Sequence, residues 1–389
     1  MDFDTEIDRR GTHSAKWDAM EQVYGVSPND GLAMWVADMD FRPPQVVRDA
    51  LTTMAETGVY GYFGDDTAYK DAIIWWMQNR HGWQVQPEEI FSTHGLVNGT
   101  AICLDAFSQS GDGIVLFSPV YHVFAKLISA AGRVPVDCEM QQVDGRYTLD
   151  FERYDAQMTG NETMLILCSP HNPGGRVWTR AELNGIAAFA RRHGLIIVSD
   201  EIHHDLTMPG QTHIPMAHIE GIADRLIMMS GTTKTFNIAG SHIGNVIIAD
   251  PDLRAKFNAR MLAAGMSPNA FGMNMATAAY SPDGAVWVDE LRQYLADNAK
   301  LFDAGIAAIP GLRSMSLEAT YLSWVDFSDT GMSVEEFTAR VEKTAKIAVN
   351  HGTPFGAGGE TFLRFNIGTT RARVAQATQR LAAAFSDLQ

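Results

Sequence analysis

The sequence predicts an α/β protein built on a mostly parallel central sheet, with a smaller α+β unit behind it. Three observations predict this. Apolar runs of four or five residues recur, and each ends in polar residues: Ile114–Phe117 leads into Ser118-Pro119, Met164–Cys168 into Ser169-Pro170, and Leu195–Val198 into Ser199-Asp200-Glu201. Continuous apolar runs of this length mark strands covered on both faces. Helical patterns alternate with these runs from about residue 46, and the alternation stops near residue 285. With 389 residues, 46% of them hydrophobic, the chain can fill two or three domains and bury a large core.

In chain order, residues 1–45 hold few periodic segments. Asp8–Ser14 has the character of an ordered arm, and Met34–Ala37 that of a short extended piece. Pro43-Pro44 opens a helix expected to run to about Glu56. Ile90–Thr93 is a strand, and a helix to Phe107 follows Gly95. Thr179 and Glu182 form a capping box for a helix ending at Gly194. Ile243–Ala249 closes the strand series. Beyond it come a long helix over roughly 285–308, a strand at Tyr321–Phe327, a helix capped by Ser333 and Glu336, a strand at Thr361–Ile367 and a last helix. The expected division is a large domain over residues 46–284 and a small one from residues 1–45 and 285–389.

Composition excludes several functions. A net charge of −16 argues against nucleic acid and anionic membranes as main partners. No apolar run approaches the ~20 residues of a membrane helix. The start, Met1–Asp4, has neither a basic nor an apolar leader region. Cys103, Cys138 and Cys168 are widely spaced and lack metal-ligand pairing, which fits a reducing compartment. These features predict a cytoplasmic protein.

Ligands of parallel sheets bind at the carboxyl ends of the strands. Those ends carry Ser118, Ser169, Asp200 and, a little further on, Lys234. Lys234 stands among small and hydroxyl residues in Gly231–Gly240, after the apolar run Leu226–Met229. Read alone, it is either an ordinary loop lysine or a desolvated amine able to form a Schiff base. It is not part of a phosphate-binding Walker loop, because Met228 occupies the place of the first glycine. His203 and His204 are adjacent; in an extended segment they point to opposite faces and cannot chelate one metal, so no metal site is expected. Arg364, in Phe362–Ile367, shares a strand face with Phe362 and Asn366. A guanidinium among aromatics either awaits a carboxylate or reaches to water from an edge strand.

The order Asn172-Pro173, Asp200, Lys234, Arg364 resembles the pyridoxal-phosphate enzymes of fold type I, aminotransferase class I/II, over nearly the whole chain. Within that group the chain resembles the MalY/PatB-type cystathionine β-lyases at Gly11–Asp18, Val36–Phe41, Gly58–Tyr62, Asp200–His203 and Lys234–Gly240. The resemblance implies that pyridoxal 5'-phosphate is held by Lys234 as an imine, with Lys234 then acting as base on the substrate Cα. It implies that Asp200 faces the pyridine nitrogen, that His203 and Asn172 contact the phenolic oxygen, and that Tyr121 stacks on the ring. The Leu96 and Val97 amides at a helix start and the Thr233 hydroxyl would hold the phosphate, joined by Tyr62 from a neighbouring subunit of a homodimer. Asn172 and Arg364 would bind the substrate carboxylate. The chain departs from the family pattern at Gly174, at Gly231, and at His242, where relatives commonly place an arginine. The implied reaction is elimination from an L-cysteine S-conjugate. The alternatives are transamination, and a regulatory protein that retains the cofactor.

Overall fold

The computed structural model describes residues 1–388. A seven-stranded sheet runs in the order Ile90–Thr93, Gly244–Ile247, Leu226–Ser230, Ile196–Asp200, Glu162–Cys168, Gly113–Leu116, Val134–Asp137. Five neighbouring strands are mutually parallel. Gly244–Ile247 is antiparallel to both of its neighbours. The connection before it carries only the four-residue helix Thr232–Thr235 and a 3-10 turn, so it folds back instead of crossing over.

The apolar runs are continuous because the sheet is covered twice. Met164, Ile166, Val198, Ile227 and Met229 join one buried cluster, and Leu165, Leu167, Ile197 and Met228 join another. Successive side chains of a strand point to opposite faces, so both sets must be apolar. Each such fully buried side chain contributes about 1.5–3 kcal/mol. The helix Leu96–Phe107 packs beside the strand Gly244–Ile247, where a Cβ on Gly244 would meet Leu96 Cδ2 at 2.6 Å. That glycine lets the helix start approach the sheet.

A four-stranded sheet orders Arg313–Ser314, Leu322–Asp326, Phe362–Asn366 and Asn350–His351. The helix Pro282–Ala307 precedes it, and Arg371–Ala384 follows it. The paired extended segment of the first 45 residues is Leu32–Ala33, lying parallel to Ile347–Ala348, one residue before the expected Met34–Ala37. The helix after Pro44 spans Gln45–Thr57, and the capping box at Thr179 opens Arg180–Arg192. Among the helices not named from sequence are Pro251–Ala263 and Ala270–Ala279, beyond the strand series. Their N-caps, Asp250 and Asn269, accept bonds from the first-turn amides. No helix of the described residues is long and apolar enough to cross a membrane.

The arm around residues 9–41 is pinned by charge. Arg9 makes two bonds of 2.9 Å to Asp38 and one of 3.0 Å to Asp40. Lys16, fully buried, meets Asp40 at 3.0 Å, and Trp17 Nε1 donates to the same carboxylate. Removing one partner of such a buried pair costs about 3–5 kcal/mol. Asn237 completes the arrangement: its side chain accepts from the Met39 amide and donates to the Met39 and Phe41 carbonyls. The arm is therefore tied to the loop that carries Lys234.

Candidate active site

A cavity of about 480 Å³ opens at the carboxyl ends of the parallel strands. Eight of the ten residues expected at the site line it: Leu96, Val97, Tyr121, Asn172, Asp200, His203, Thr233 and Lys234. His242 lines it too, at the end of a 3-10 turn. Arg364 stands just behind the cavity wall, its Nη1 donating to Asn172 Oδ1 at 3.0 Å. Tyr62 is elsewhere, fully exposed in a segment without regular structure.

Lys234 projects from the four-residue helix Thr232–Thr235, just after the strand Leu226–Ser230. Its Nζ donates to the Ala37 carbonyl at 2.7 Å, an oxygen that also accepts from Tyr321 at 2.9 Å. The cavity leaves part of the side chain accessible, but desolvation of the amine dominates. It pulls the pKa down to about 8, against the opposing pull of Asp38. Asp200 ends its strand buried, and burial raises its carboxyl to about 6, moderated by the Ile202 amide on Oδ1 and by nearby Lys234. His203 is buried, which holds its imidazole well below the usual range, and its Nδ1 has no hydrogen-bond partner. The segment 202–205 is a run of turns, not the extended piece assumed from sequence. His203 nevertheless faces this cavity, and His204 faces another.

Gly95 starts the helix Leu96–Phe107 at φ 86°, and no side chain caps the first turn. Non-glycine residues rarely adopt that conformation. Amides without a capping side chain at a 12-residue helix start form a ready anion site. An uncapped helix start, an orphaned imidazole nitrogen, a buried carboxylate and a lysine of lowered pKa share one cavity. This set matches the phosphate, phenolic oxygen, ring nitrogen and aldehyde of pyridoxal phosphate.

The strand of Arg364 is interior to its sheet, between Leu322–Asp326 and Asn350–His351, which removes the edge-strand reading. The guanidinium is buried, lies 5.0 Å over the Phe355 ring, and donates to the Trp35 carbonyl at 3.0 Å and to Asn350 Oδ1. Among the described residues no carboxylate pairs with it, and Nε has no partner. Sequence reasoning missed Asn350, Phe355, Tyr321 and the Trp35 and Ala37 carbonyls. Ala37 lies in a recognised stretch, but a backbone oxygen carries no residue signature. Asn350 stands in a two-residue strand and Phe355 in a single 3-10 turn, both too short to leave a pattern in the sequence.

The sequence profile of the aminotransferase class I and II family matches residues 32–381. The chain is 40% identical to cystathionine β-lyase PatB of Bacillus subtilis, over 99% of this chain and 100% of that protein. Among solved structures it is similar to cystalysin of Treponema denticola, which contains a pyridoxal 5'-phosphate cofactor, with TM-score 0.95, 33% identity, and 100% and 99% of the two chains covered. It is also similar to the pyridoxal-phosphate-bound C–S lyase of Staphylococcus hominis, with TM-score 0.89, 28% identity, and 99% and 98% covered. The chain belongs to the aminotransferase class I and II family.

Proposed function

We propose that the chain is a pyridoxal-phosphate-dependent carbon–sulfur β-lyase that cleaves L-cysteine S-conjugates such as cystathionine to a thiol, pyruvate and ammonia. The observation that carries this reading is the end-to-end 40% identity to cystathionine β-lyase PatB. When bound, the cofactor supplies an electrophilic carbon for an amine and a conjugated ring that accepts the electron pair left at the substrate Cα.

The residues of the chain divide the remaining work. Lys234 holds the cofactor aldehyde between turnovers and removes the Cα proton. Its lowered pKa supports this role, since near pH 8 about half of the amine is neutral. Asp200 keeps a proton on the ring nitrogen. His203 Nδ1 and the Asn172 amide bind the phenolic oxygen, and Tyr121 covers the ring. The Leu96 and Val97 amides and the Thr233 hydroxyl bind the phosphate. His242 stands where an arginine is common in relatives. Arg364 and Asn172 hold the substrate α-carboxylate, supported by the absence of any protein carboxylate at that guanidinium among the described residues. Loss of the Cα proton and of the Cβ–S bond releases the thiol, and water converts the remaining three-carbon enamine to pyruvate and ammonia.

The functional unit is a homodimer in the cytoplasm. Tyr62, Val59 and Tyr60 are all exposed within a few residues of one another, a set of apolar surfaces that a second copy would cover. From there Tyr62 would reach the partner's phosphate. The three cysteines are free and buried, in keeping with a reducing compartment. We divide the chain into a large domain, residues 46–284, around the seven-stranded sheet, and a small one from residues 1–45 and 285–389. The strand pairing of Leu32–Ala33 with Ile347–Ala348 supports that division.

The test is incubation of the purified protein with cystathionine and no keto acid. The expected result is many turnovers of pyruvate and ammonia per active site. Family membership favours one second reading, an aminotransferase. That enzyme would stall after one half-reaction and resume only on addition of a keto acid, and such a stall would replace the lyase reading.

A further inference from the structure

A second cluster of titratable side chains lies behind the cofactor cavity and takes no part in the chemistry above. His81 ends the helix Thr67–His81, and His204 and Asp205 follow in the turn after the strand Ile196–Asp200. His81 Nε2 is 2.9 Å from Asp205 Oδ1, and His204 Nε2 is 3.0 Å from Asp205 Oδ2. The two imidazoles meet edge to face with centroids 4.5 Å apart. One ligand atom from each of the three residues falls within 4.8 Å of the others. Ligands about 2.0–2.2 Å from a tetrahedral dication stand roughly 3.3–3.6 Å from one another, so small rotations bring this set into place.

The surroundings suit a cation of that kind. Asp205 is fixed by two further donors, Trp76 Nε1 and Thr235 Oγ1, each at 3.0 Å. Such donors orient a ligating carboxylate. A cavity of about 240 Å³, lined also by Thr207, Gln211 and His213, gives an entry path and room for a water as fourth ligand. Arg80 and Arg292 line the same cavity, and both pair with Asp289. A second carboxylate, Glu201, stands nearby and holds His213 at 2.7 Å.

We propose that His81, His204 and Asp205 form a binding site for a zinc-class transition-metal dication, separate from the pyridoxal pocket. Two imidazoles and one carboxylate select zinc, or its borderline neighbours, over magnesium and calcium, which prefer all-oxygen sites. The expectation of no metal weighed the spacing of the three cysteines and the neighbours His203 and His204, and did not weigh His81. The fold separates those two and brings His81 to His204 instead. The inference does not depend on which reaction the pyridoxal site performs.

The experiment is a competition titration of the chelator-treated holoenzyme with Zn²⁺ against a chromophoric chelator. The expected result is one zinc per chain, bound at least about tenfold more weakly in each of His81→Gln and His204→Gln. A parallel titration of unmutated holoenzyme with Co²⁺ does not depend on the variants folding. It should give the intense visible difference bands of a four-coordinate nitrogen–oxygen site. Absence of stoichiometric binding, only the weak bands of six-coordinate cobalt, or undiminished affinity in folded His81→Gln would each overturn the proposal.

Discussion

Replacing Arg364 with alanine should raise KM for cystathionine steeply while leaving the cofactor bound. The guanidinium is 3% exposed and lies on Asn172 Oδ1, the Trp35 carbonyl, Asn350 Oδ1 and the Phe355 ring. Burial draws its pKa down to about 10, which still leaves it protonated at neutral pH. A substrate carboxylate would therefore be its first anionic partner in a desolvated place. Truncating one side of a buried charge pair costs about 2–5 kcal/mol. At about 1.4 kcal/mol per factor of ten, kcat/KM should fall by about 30- to 5000-fold. Arg364→Lys should recover little and remain at least about tenfold impaired, because one ammonium cannot span the carboxylate and the acceptors that now fix the fork. Pyruvate release measured against cystathionine concentration gives KM and kcat, and thermal melts separate loss of binding from loss of fold. An alanine variant with unaltered Tm and unaltered KM would refute the assignment of the carboxylate site.

Lys234→Ala should abolish nearly all turnover. Borohydride should fix the cofactor to Lys234 in the unmutated protein, as peptide mapping would show; label on another lysine would redirect the reading. Asp200 gives a pH dependence of defined sign in the cofactor-stripped chain. Its carboxyl is raised from 3.8 to about 6 by burial, so the folded state holds the proton longer than the unfolded state. The Asp200 contribution to stability should be fully present below about pH 4, fall between about 4 and 6, and be lost above that, a change of at most about 3 kcal/mol. The stability difference between the unmutated chain and Asp200→Asn, read from denaturant midpoints, should shift across that range, and a difference independent of pH would remove Asp200 as its source. Tyr62→Ala removes a fully exposed side chain, so the fold of one chain should be indifferent to it. Cofactor release, followed by dialysis and absorbance, should accelerate several-fold if Tyr62 serves a partner's phosphate, and an unaltered rate would count against that role.

Periodicity made the elements legible where burial on both faces forces an uninterrupted apolar run, as at Met164–Cys168. The capping box at Thr179 was legible because its two bonds are local. Less legible were the helices Pro251–Ala263 and Ala270–Ala279, although each has a side-chain cap. The reversed direction of Gly244–Ile247 could not be read at all, since an apolar tetrapeptide has the same pattern in either direction. Among site residues, Lys234 and Asp200 stood out because a charge directly after an apolar strand is chemically costly to bury without use.

The sequence by itself determined the buried central strands, the main chemistry-bearing side chains and the order in which they occur. That information is local: each depends on a few neighbouring residues and on the face a side chain must take. Tertiary structure decided what those side chains meet. It set the Lys234 amine on the Ala37 carbonyl from the distant N-terminal arm, and it surrounded Arg364 with Asn172, Asn350 and Phe355 in the interior of a sheet. It turned His203 and His204 to different cavities and brought His81 to the second. The physical reason is that desolvation and charge pairing depend on distance in space, and chain-distant groups share a dielectric environment only once the sheet and its helices have packed.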